Sequence, residues 1–301
     1  MVESRKGVLY GAGAYFLWGL FPLYWPLLEP AGPGEVLAHR VLWSLVVVAA
    51  LLVAARRLTE VRAVLRDRAR MLRLSAASVL IGLNWFTYIY GVTHDHVVET
   101  SLGYFINPIV TVLLGVVVLK ERLRPTQWVA IGAATVAVLV LSVQNGSPPW
   151  IALVLAFSFG GYGLLKKTAA VGAVEGLAVE TAVMAPVAAA YLLVLTTRGD
   201  LVFGTEGVGH ALLLVGAGVV TAIPLLLFGA AASRVPLTTL GLLQYLAPTL
   251  QFLIGVALYD EPLPLLRLVG FALVWAGLAI FTADLVRHHR RQLRIVVAEP
   301  V

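Results

Sequence analysis

The chain writes one membrane-length phrase twice. Residues 102–123 read LGYFINPIVTVLLGVVVLKERL, and residues 242–263 read LLQYLAPTLQFLIGVALYDEPL. A shift of 140 positions superposes Pro108 on Pro248, Gly115 on Gly255, Glu121 on Glu261 and Leu123 on Leu263. An apolar chain made of two similar halves is the construction of many secondary transporters.

Of 301 residues, 60% are hydrophobic and 13% charged. A soluble domain carries about 25% charged residues, so this is an integral membrane protein. It has no polar stretch long enough for a soluble catalytic domain. The absence of cysteine excludes disulfides, thiolate metal sites and cysteine nucleophiles. The net charge of +6 is no sign of nucleic-acid binding, because the basic residues lie between apolar segments, where they set membrane orientation. Arg5 and Lys6 precede an apolar run of about 22 residues that no small-x-small cleavage site closes. It reads as a retained first span.

A helix needs about 20 apolar residues to cross the hydrocarbon core. Ten segments qualify: 7–28, 35–55, 74–93, 97–119, 126–143, 150–167, 175–197, 208–231, 237–259 and 265–285. With a cytoplasmic N-terminus, 19 of the 22 Lys and Arg fall inside. Arg198 and Arg267 fall outside, and Arg40 lies within a span. This asymmetry predicts a multi-pass protein of the bacterial plasma (inner) membrane with both termini cytoplasmic. Segment 56–73 carries Leu58, Val61, Leu65 and Leu72 at helical spacing among seven arginines. It reads either as a short interfacial helix on the anionic inner leaflet or as a solvated basic loop.

The expected fold class is all-α, with ten transmembrane helices as two inverted five-helix repeats, residues 1–145 and 146–301. Five spans per half flip the second half, which relates the copies by a pseudo-two-fold axis in the membrane plane. The same offset lays GEVLAHRVLWS (34–44) over VEGLAVETAVM (174–184), setting Glu35 on Glu175 and Arg40 on Glu180. Spans 1 and 6 match weakly, through WGL (18–20) and YGL (162–164) at an offset of 144. Such halves can exchange conformations and open a central site to each side in turn.

LWGLFPLYW (17–25), LAHRVLWS (37–44), NWFTYIYGV (84–92) and SLGYFINPIVTVLLGVVVLKERL (101–123) together resemble the RarD-like permeases. These form part of the EamA branch of the drug/metabolite transporter superfamily. The resemblance covers essentially all ten spans. It implies an inner-membrane permease that exports small metabolites or drugs.

Arg40 is the sharpest candidate, roughly 8 Å along span 2. A buried Arg faces a cavity or a partner, here as a guanidinium for an anionic or carboxylate-bearing substrate. The alternative is snorkelling to headgroups. Glu180 in span 7 is a candidate coupling carboxylate, about 14 Å from Arg40 in depth in a core of about 30 Å. His39 is a second coupling candidate, since histidine titrates near neutrality. His94, His96 and Glu99 sit near the same face, but no convincing third metal ligand joins them.

Asn84, Trp85 and Tyr88 share a face of span 3, and Tyr104 and Asn107 share one of span 4. They read as an aromatic, hydrogen-bonding pocket or, alternatively, as helix–helix glue. Trp18, Trp43, Tyr162, Gln244 and Tyr245 are further lining candidates. Tyr24, Trp25, Trp128 and Trp150, near span ends, read as an interfacial belt. Pro108 and Pro248 are candidate hinges. Glu121 and Glu261 read as structural caps.

The expected function is secondary transport of a small molecule, carboxylate-bearing or aromatic, with proton coupling an open option. No cofactor or catalytic residue is expected. No Walker loop supports ATP-driven pumping, and no HExxH or GxSxG supports an intramembrane enzyme. A non-transporting regulatory or assembly protein is the alternative. Partners are the substrate and membrane lipids, with no nucleic acid. Monomer and homodimer both stay open.

Overall fold

In hydrocarbon, backbone N–H and C=O groups must pair within the protein, so apolar spans fold as helices. The structure, a computed structural model, describes residues 2–94, 96–142 and 150–259 and scattered positions between 268 and 283. Among the described residues all regular secondary structure is helical. The helices are α1 (Val2–Gly19), α2 (Pro33–Ala54), α3 (Leu58–Arg66), α4 (Arg68–Thr93), α5 (Val97–Val117) and α6 (Pro125–Ser142). They continue with α7 (Trp150–Ala169), α8 (Ala173–Arg198), α9 (Gly207–Ala232), α10 (Leu237–Leu243) and α11 (Leu246–Leu258). Five stretches, Pro33–Ala54, Arg68–Gly91, Ala173–Arg198, Gly207–Ala232 and Leu237–Leu258, are long and apolar enough to cross a membrane.

Three expected segments come out differently. The first span is not one helix over 7–28. It stops at Gly19 and continues as two 3₁₀ turns, Phe21–Leu23 and Trp25–Leu28, each with proline in its first positions. Pro22 and Pro26 lack the N–H that an α-helix needs there. The span 237–259 is broken at Gln244 and Tyr245. Pro248 has no N–H to return to the Gln244 carbonyl, whereas Pro108 sits inside an unbroken α5. The basic segment 56–73 is split at Asp67. That carboxylate accepts from Ala69 N at 3.0 Å and Arg70 N at 3.1 Å, capping α4. Leu58 and Leu65 are exposed on α3, Val64 is buried, and Leu72 belongs to α4. The expected span 265–285, Glu261 and the basic tail lie mostly or wholly outside the described residues.

Burial is inverted relative to a soluble protein. Val79, Phe86, Val187 and Leu193 are exposed, while Glu35, Glu175, Glu180 and Lys166 are buried. Apolar exteriors and paired interior charges suit a protein solvated by lipid. The central core gathers Tyr15, Ile81, Tyr162, Leu177, Phe228 and Leu240 from six helices.

Side chains tie the bundle together at two ends. At the basic end, Arg73 Nη1 donates to Thr168 O at 2.9 Å, and Arg57 Nε meets Glu175 Oε1 at 2.8 Å. Glu121 Oε1 and Oε2 accept from Leu237 N (2.7 Å) and Thr238 N (2.9 Å), capping α10. At the opposite end, Glu35 accepts from the backbone of Val202 and Phe203, and His210 Nε2 meets Leu28 O at 2.9 Å. Between the ends, α2 packs on α8 and α9, α4 on α7 and α8, α1 on α9 and α11, and α5 on α7 and α10.

The α2–α9 crossing depends on Gly218. A Cβ there would lie 2.7 Å from the Ser44 backbone nitrogen, whereas one at Gly209 on the same helix meets nothing within 4 Å. Gly218→Ala is expected to lower the melting temperature of the detergent-solubilised protein by several degrees, since overpacking costs about 1–3 kcal/mol. Gly209→Ala should leave it unchanged or raise it.

Candidate functional site

Helix α2 starts at the opposite end with Pro33 in its first turn and Glu35 two residues on, a favourable N-terminal arrangement. Seven residues in, about 10 Å along the axis, Arg40 turns into the bundle. Its Nε donates to Thr221 Oγ1 of α9 at 2.9 Å. The guanidinium carbon lies 4.8 Å from the Trp25 ring centroid, 4.8 Å from that of Trp85 and 5.8 Å from that of Phe21. Two indoles thus flank a desolvated cation, each contact worth on the order of 1–2 kcal/mol.

Arg40 borders a cavity of about 180 Å³. Asn84, Trp85, Tyr88, Tyr104, Asn107, Trp18 and Gln244 line it with Arg40, and so does Pro248. The rings of Tyr88 and Tyr104 meet edge to face, with centroids 6.0 Å apart. Asn84 Nδ2 donates to Leu155 O (2.9 Å) and Ser158 Oγ (3.0 Å) of α7. The Asn107 amide, oriented to donate, reaches Ala156 O (3.1 Å) and Leu155 O (3.0 Å). Both asparagines therefore anchor α4 and α5 to α7 and also face the cavity.

Trp43, Tyr162 and Tyr245 do not line this cavity. Trp43 Nε1 donates to His39 Nδ1 at 3.2 Å. Tyr162 is fully buried and stacks on Phe228. Tyr245 is buried with its hydroxyl 3.4 Å from Phe105 O. His39 also points elsewhere. It lies on Phe203, with centroids 4.7 Å apart, and its Nε2 is 3.8 Å from Glu35 Oε1. Adjacent helix positions diverge by about 100°, which separates His39 from Arg40. His94 is exposed and stacks on Tyr90. The side chain of Glu99 lies outside the described residues.

Glu180 sits deeper, toward the basic end. Lys166 Nζ is 2.7 Å from its Oε1, and the Tyr162 hydroxyl donates to Oε2 at 3.2 Å. Its cation is therefore Lys166 of α7, while Arg40 is engaged with Thr221. A void of only about 10 Å³ lies between Arg40 and Glu180, walled also by Thr181 and Thr221. That is at the limit for a single water molecule.

The sequence reading missed several lining residues. Trp25, expected in an interfacial belt, faces the cavity because the 3₁₀ turn after Tyr24 swings it inward. Tyr15, Phe21, Phe159 and Gln251 also line it. Trp128 and Trp150 are half exposed at helix starts. Lys166, one of the 19 cationic residues expected on the cytoplasmic side, is buried in the last turn of α7. A signal existed for Phe159. The 144-residue offset that pairs Trp18 with Tyr162 also pairs Tyr15 with Phe159.

Residues 5–143 match the EamA-like transporter family. The chain is 54% identical to Protein RarD of Streptomyces exfoliatus, over 99% of this chain and 95% of that one. It is 45% identical to the uncharacterized transporter YojE of Bacillus subtilis, over 96% and 97% respectively. A crystal structure of a protein that is 20% identical superposes with a TM-score of 0.73, covering 94% of this chain and 98% of that one, and so shares the fold.

Proposed function

The chain belongs to the EamA-like transporters, among the RarD proteins of the drug/metabolite transporter superfamily, and from this premise we propose that it carries small carboxylate-bearing aromatic solutes by alternating access. The observation that carries the proposal is the Arg40 guanidinium, set beside two indoles on the wall of an aromatic cavity in which it is the one formal charge among the described residues. A planar guanidinium binds a carboxylate through paired N–H donors. The surrounding rings suit an aromatic body.

Ten spans in two inverted repeats, 1–145 and 146–301, are part of this reading. Helix starts support it: Pro33 and Ala173, and Val97 and Leu237, stand 140 residues apart. The packing supports it too. Exchanging the halves turns the α4–α7 contact into α9–α1, and the α2–α9 contact into α8–α4. The basic end, with Arg57, Arg73 and Arg234, is the cytoplasmic one by the positive-inside rule. The Tyr162–Phe228 stack and the Lys166–Glu180 pair then close the cytoplasmic side of the cavity. Export is the direction implied by the resemblance to drug and metabolite permeases. Glu180 is the group through which a proton is coupled: protonation releases Lys166 and loosens the closure. Pro108 and Pro248 supply the flexing points in the two repeats.

Counterflow tests the proposal. Proteoliposomes preloaded with an unlabelled aromatic monocarboxylate are expected to accumulate the labelled compound transiently. Uptake no faster than in protein-free liposomes, for every aromatic carboxylate tried, contradicts it.

A further inference from the structure

Arg40 is not the only donor that faces the cavity. Among the described residues it donates only through Nε, to Thr221, which leaves the N–H groups on both Nη atoms. Tyr88 and Tyr104 line the same cavity, and neither hydroxyl has a hydrogen-bond partner among the described residues. Both residues are half-buried, and neither hydroxyl is among the enclosed, unpartnered polar atoms of the interior. Each phenol oxygen is therefore open to the cavity. The two rings meet edge to face, and both phenols interact electrostatically with the Arg40 guanidinium.

Helix geometry brings the three together at one level. Arg40 is seven residues into α2 from Pro33, and Tyr104 is seven into α5 from Val97. Tyr88 is five residues short of the end of α4 at Thr93. These helix ends all lie opposite the basic end, so the three residues sit about 8–10 Å inward from it. The asparagines fix the tyrosines there. Asn84 and Asn107 both donate to the Leu155 carbonyl. Tyr88 follows Asn84 by one turn, Tyr104 precedes Asn107 by one turn, and α4 and α5 run antiparallel. Both phenols thus stand one turn from a shared anchor, on the side where α2 enters.

The chemistry of the set is that of an anion site. A carboxylate offers about four lone-pair positions, more than one guanidinium fork fills. Phenols supply further donors without adding charge. Arg40 is the one formal charge among the described lining residues, so a single negative charge balances it. A neutral head group would leave the desolvated guanidinium without a counter-charge.

We propose that the Tyr88 and Tyr104 hydroxyls and the Arg40 guanidinium form a three-donor cradle for one carboxylate, so that the site takes a monoanion and discriminates against the neutral amide of the same acid. The proposal rests on the carboxylate reading of Arg40 and names the groups that complete it. Hydrogen bonds to a charged group are stronger than those to a neutral one. Each phenol should therefore contribute about tenfold to the affinity of an acid and less to that of its amide.

Equilibrium binding of phenylacetate and phenylacetamide to the purified full chain tests this. The wild type is expected to prefer the acid. Tyr88→Phe and Tyr104→Phe each remove one oxygen and keep the ring. Each should weaken phenylacetate about tenfold and shrink the preference for it, with the melting temperature of the unliganded protein unchanged. A merely structural role would weaken both probes alike. A preference undiminished in either folded variant removes that hydroxyl and overturns the three-donor cradle. Should neither variant fold, the ultraviolet difference spectrum of the wild type decides. Phenylacetate should shift tyrosine absorption to the red and phenylacetamide much less; no shift overturns the cradle. The underlying reading fails separately. If Arg40→Gln binds phenylacetate as tightly as the wild type, or if the wild type does not bind it in preference to the amide, the carboxylate assignment falls and the cradle falls with it.

Discussion

Arg40→Ala is expected to abolish counterflow of aromatic carboxylates, lowering the initial rate by roughly a hundredfold, while the melting temperature of the purified protein changes by only a few degrees. Removing the cationic partner of a desolvated, hydrogen-bonded anion costs about 2–5 kcal/mol, and a hundredfold is about 2.7 kcal/mol. Stability should be spared because, among the described residues, Arg40 has no acidic partner to strand; it donates from Nε to the Thr221 hydroxyl. Its absence also lifts the cost of holding a cation in the bundle. Arg40→Lys keeps the charge but loses the planar fork and the stacking between Trp25 and Trp85. It should recover only a minor part of the rate. Unimpaired transport by Arg40→Ala would remove this residue from the site.

Glu180 should behave in the opposite way. Glu180→Gln leaves the Lys166 ammonium buried with no carboxylate 2.7 Å away. Breaking one side of a buried pair costs about 3–5 kcal/mol, so a large drop in melting temperature and in yield is expected. The double variant Lys166→Met, Glu180→Leu replaces both charges with apolar groups, and its stability should return to near the wild-type value. Its transport should not respond to an imposed pH gradient, because the carboxylate proposed to couple the proton is gone. A Glu180→Gln protein as stable as wild type would show that the pair is not the internal closure assigned here. Gradient-driven transport by the double variant would place coupling at another group.

The two variants separate functions that the sequence presents as one symmetric pair. The 140-residue offset lays Arg40 over Glu180, and this correspondence marked both positions as unusual. It could not say that Glu180 is taken by Lys166 or that Thr221 holds Arg40. Those partners come from α7 and α9, and which helices touch is set by packing along the whole length of each. The aromatic faces of α4 and α5 were legible because a single helix fixes which of its residues point together, as in Asn84, Trp85 and Tyr88. Trp25 was not, because the helix it was assigned to ends at Gly19 and two proline-led turns reorient the chain. The break before Pro248 and the continuity through Pro108 show the same limit. Equal motif positions thus received different backbones, a difference that the repeated motif does not encode.

The repeat contained more about the site than direct inspection drew from it. Trp85 pairs with Leu225 at the 140-residue offset, Tyr104 with Gln244, and Asn107 with Ala247, and all six line the cavity. Projecting each first-half candidate onto the second half would have found Leu225 and Ala247, which are too ordinary in composition to attract notice. Tyr15 and Phe159 also pair, at the weaker 144-residue offset, and both line the cavity, but neither was a candidate to project from. Glu121 was read as a structural cap, and its carboxylate does hold the first turn of α10. Its repeat mate Glu261 lies outside the described residues.

Alternating access at this cavity can be tested by thiol labelling, because the chain contains no native cysteine. Ala247 lines the cavity and is close to cysteine in size. In oriented membrane vesicles of the Ala247→Cys protein, a membrane-impermeant maleimide should label the thiol from either face. Labelling confined to one face under every condition, with transport still running, would contradict the account.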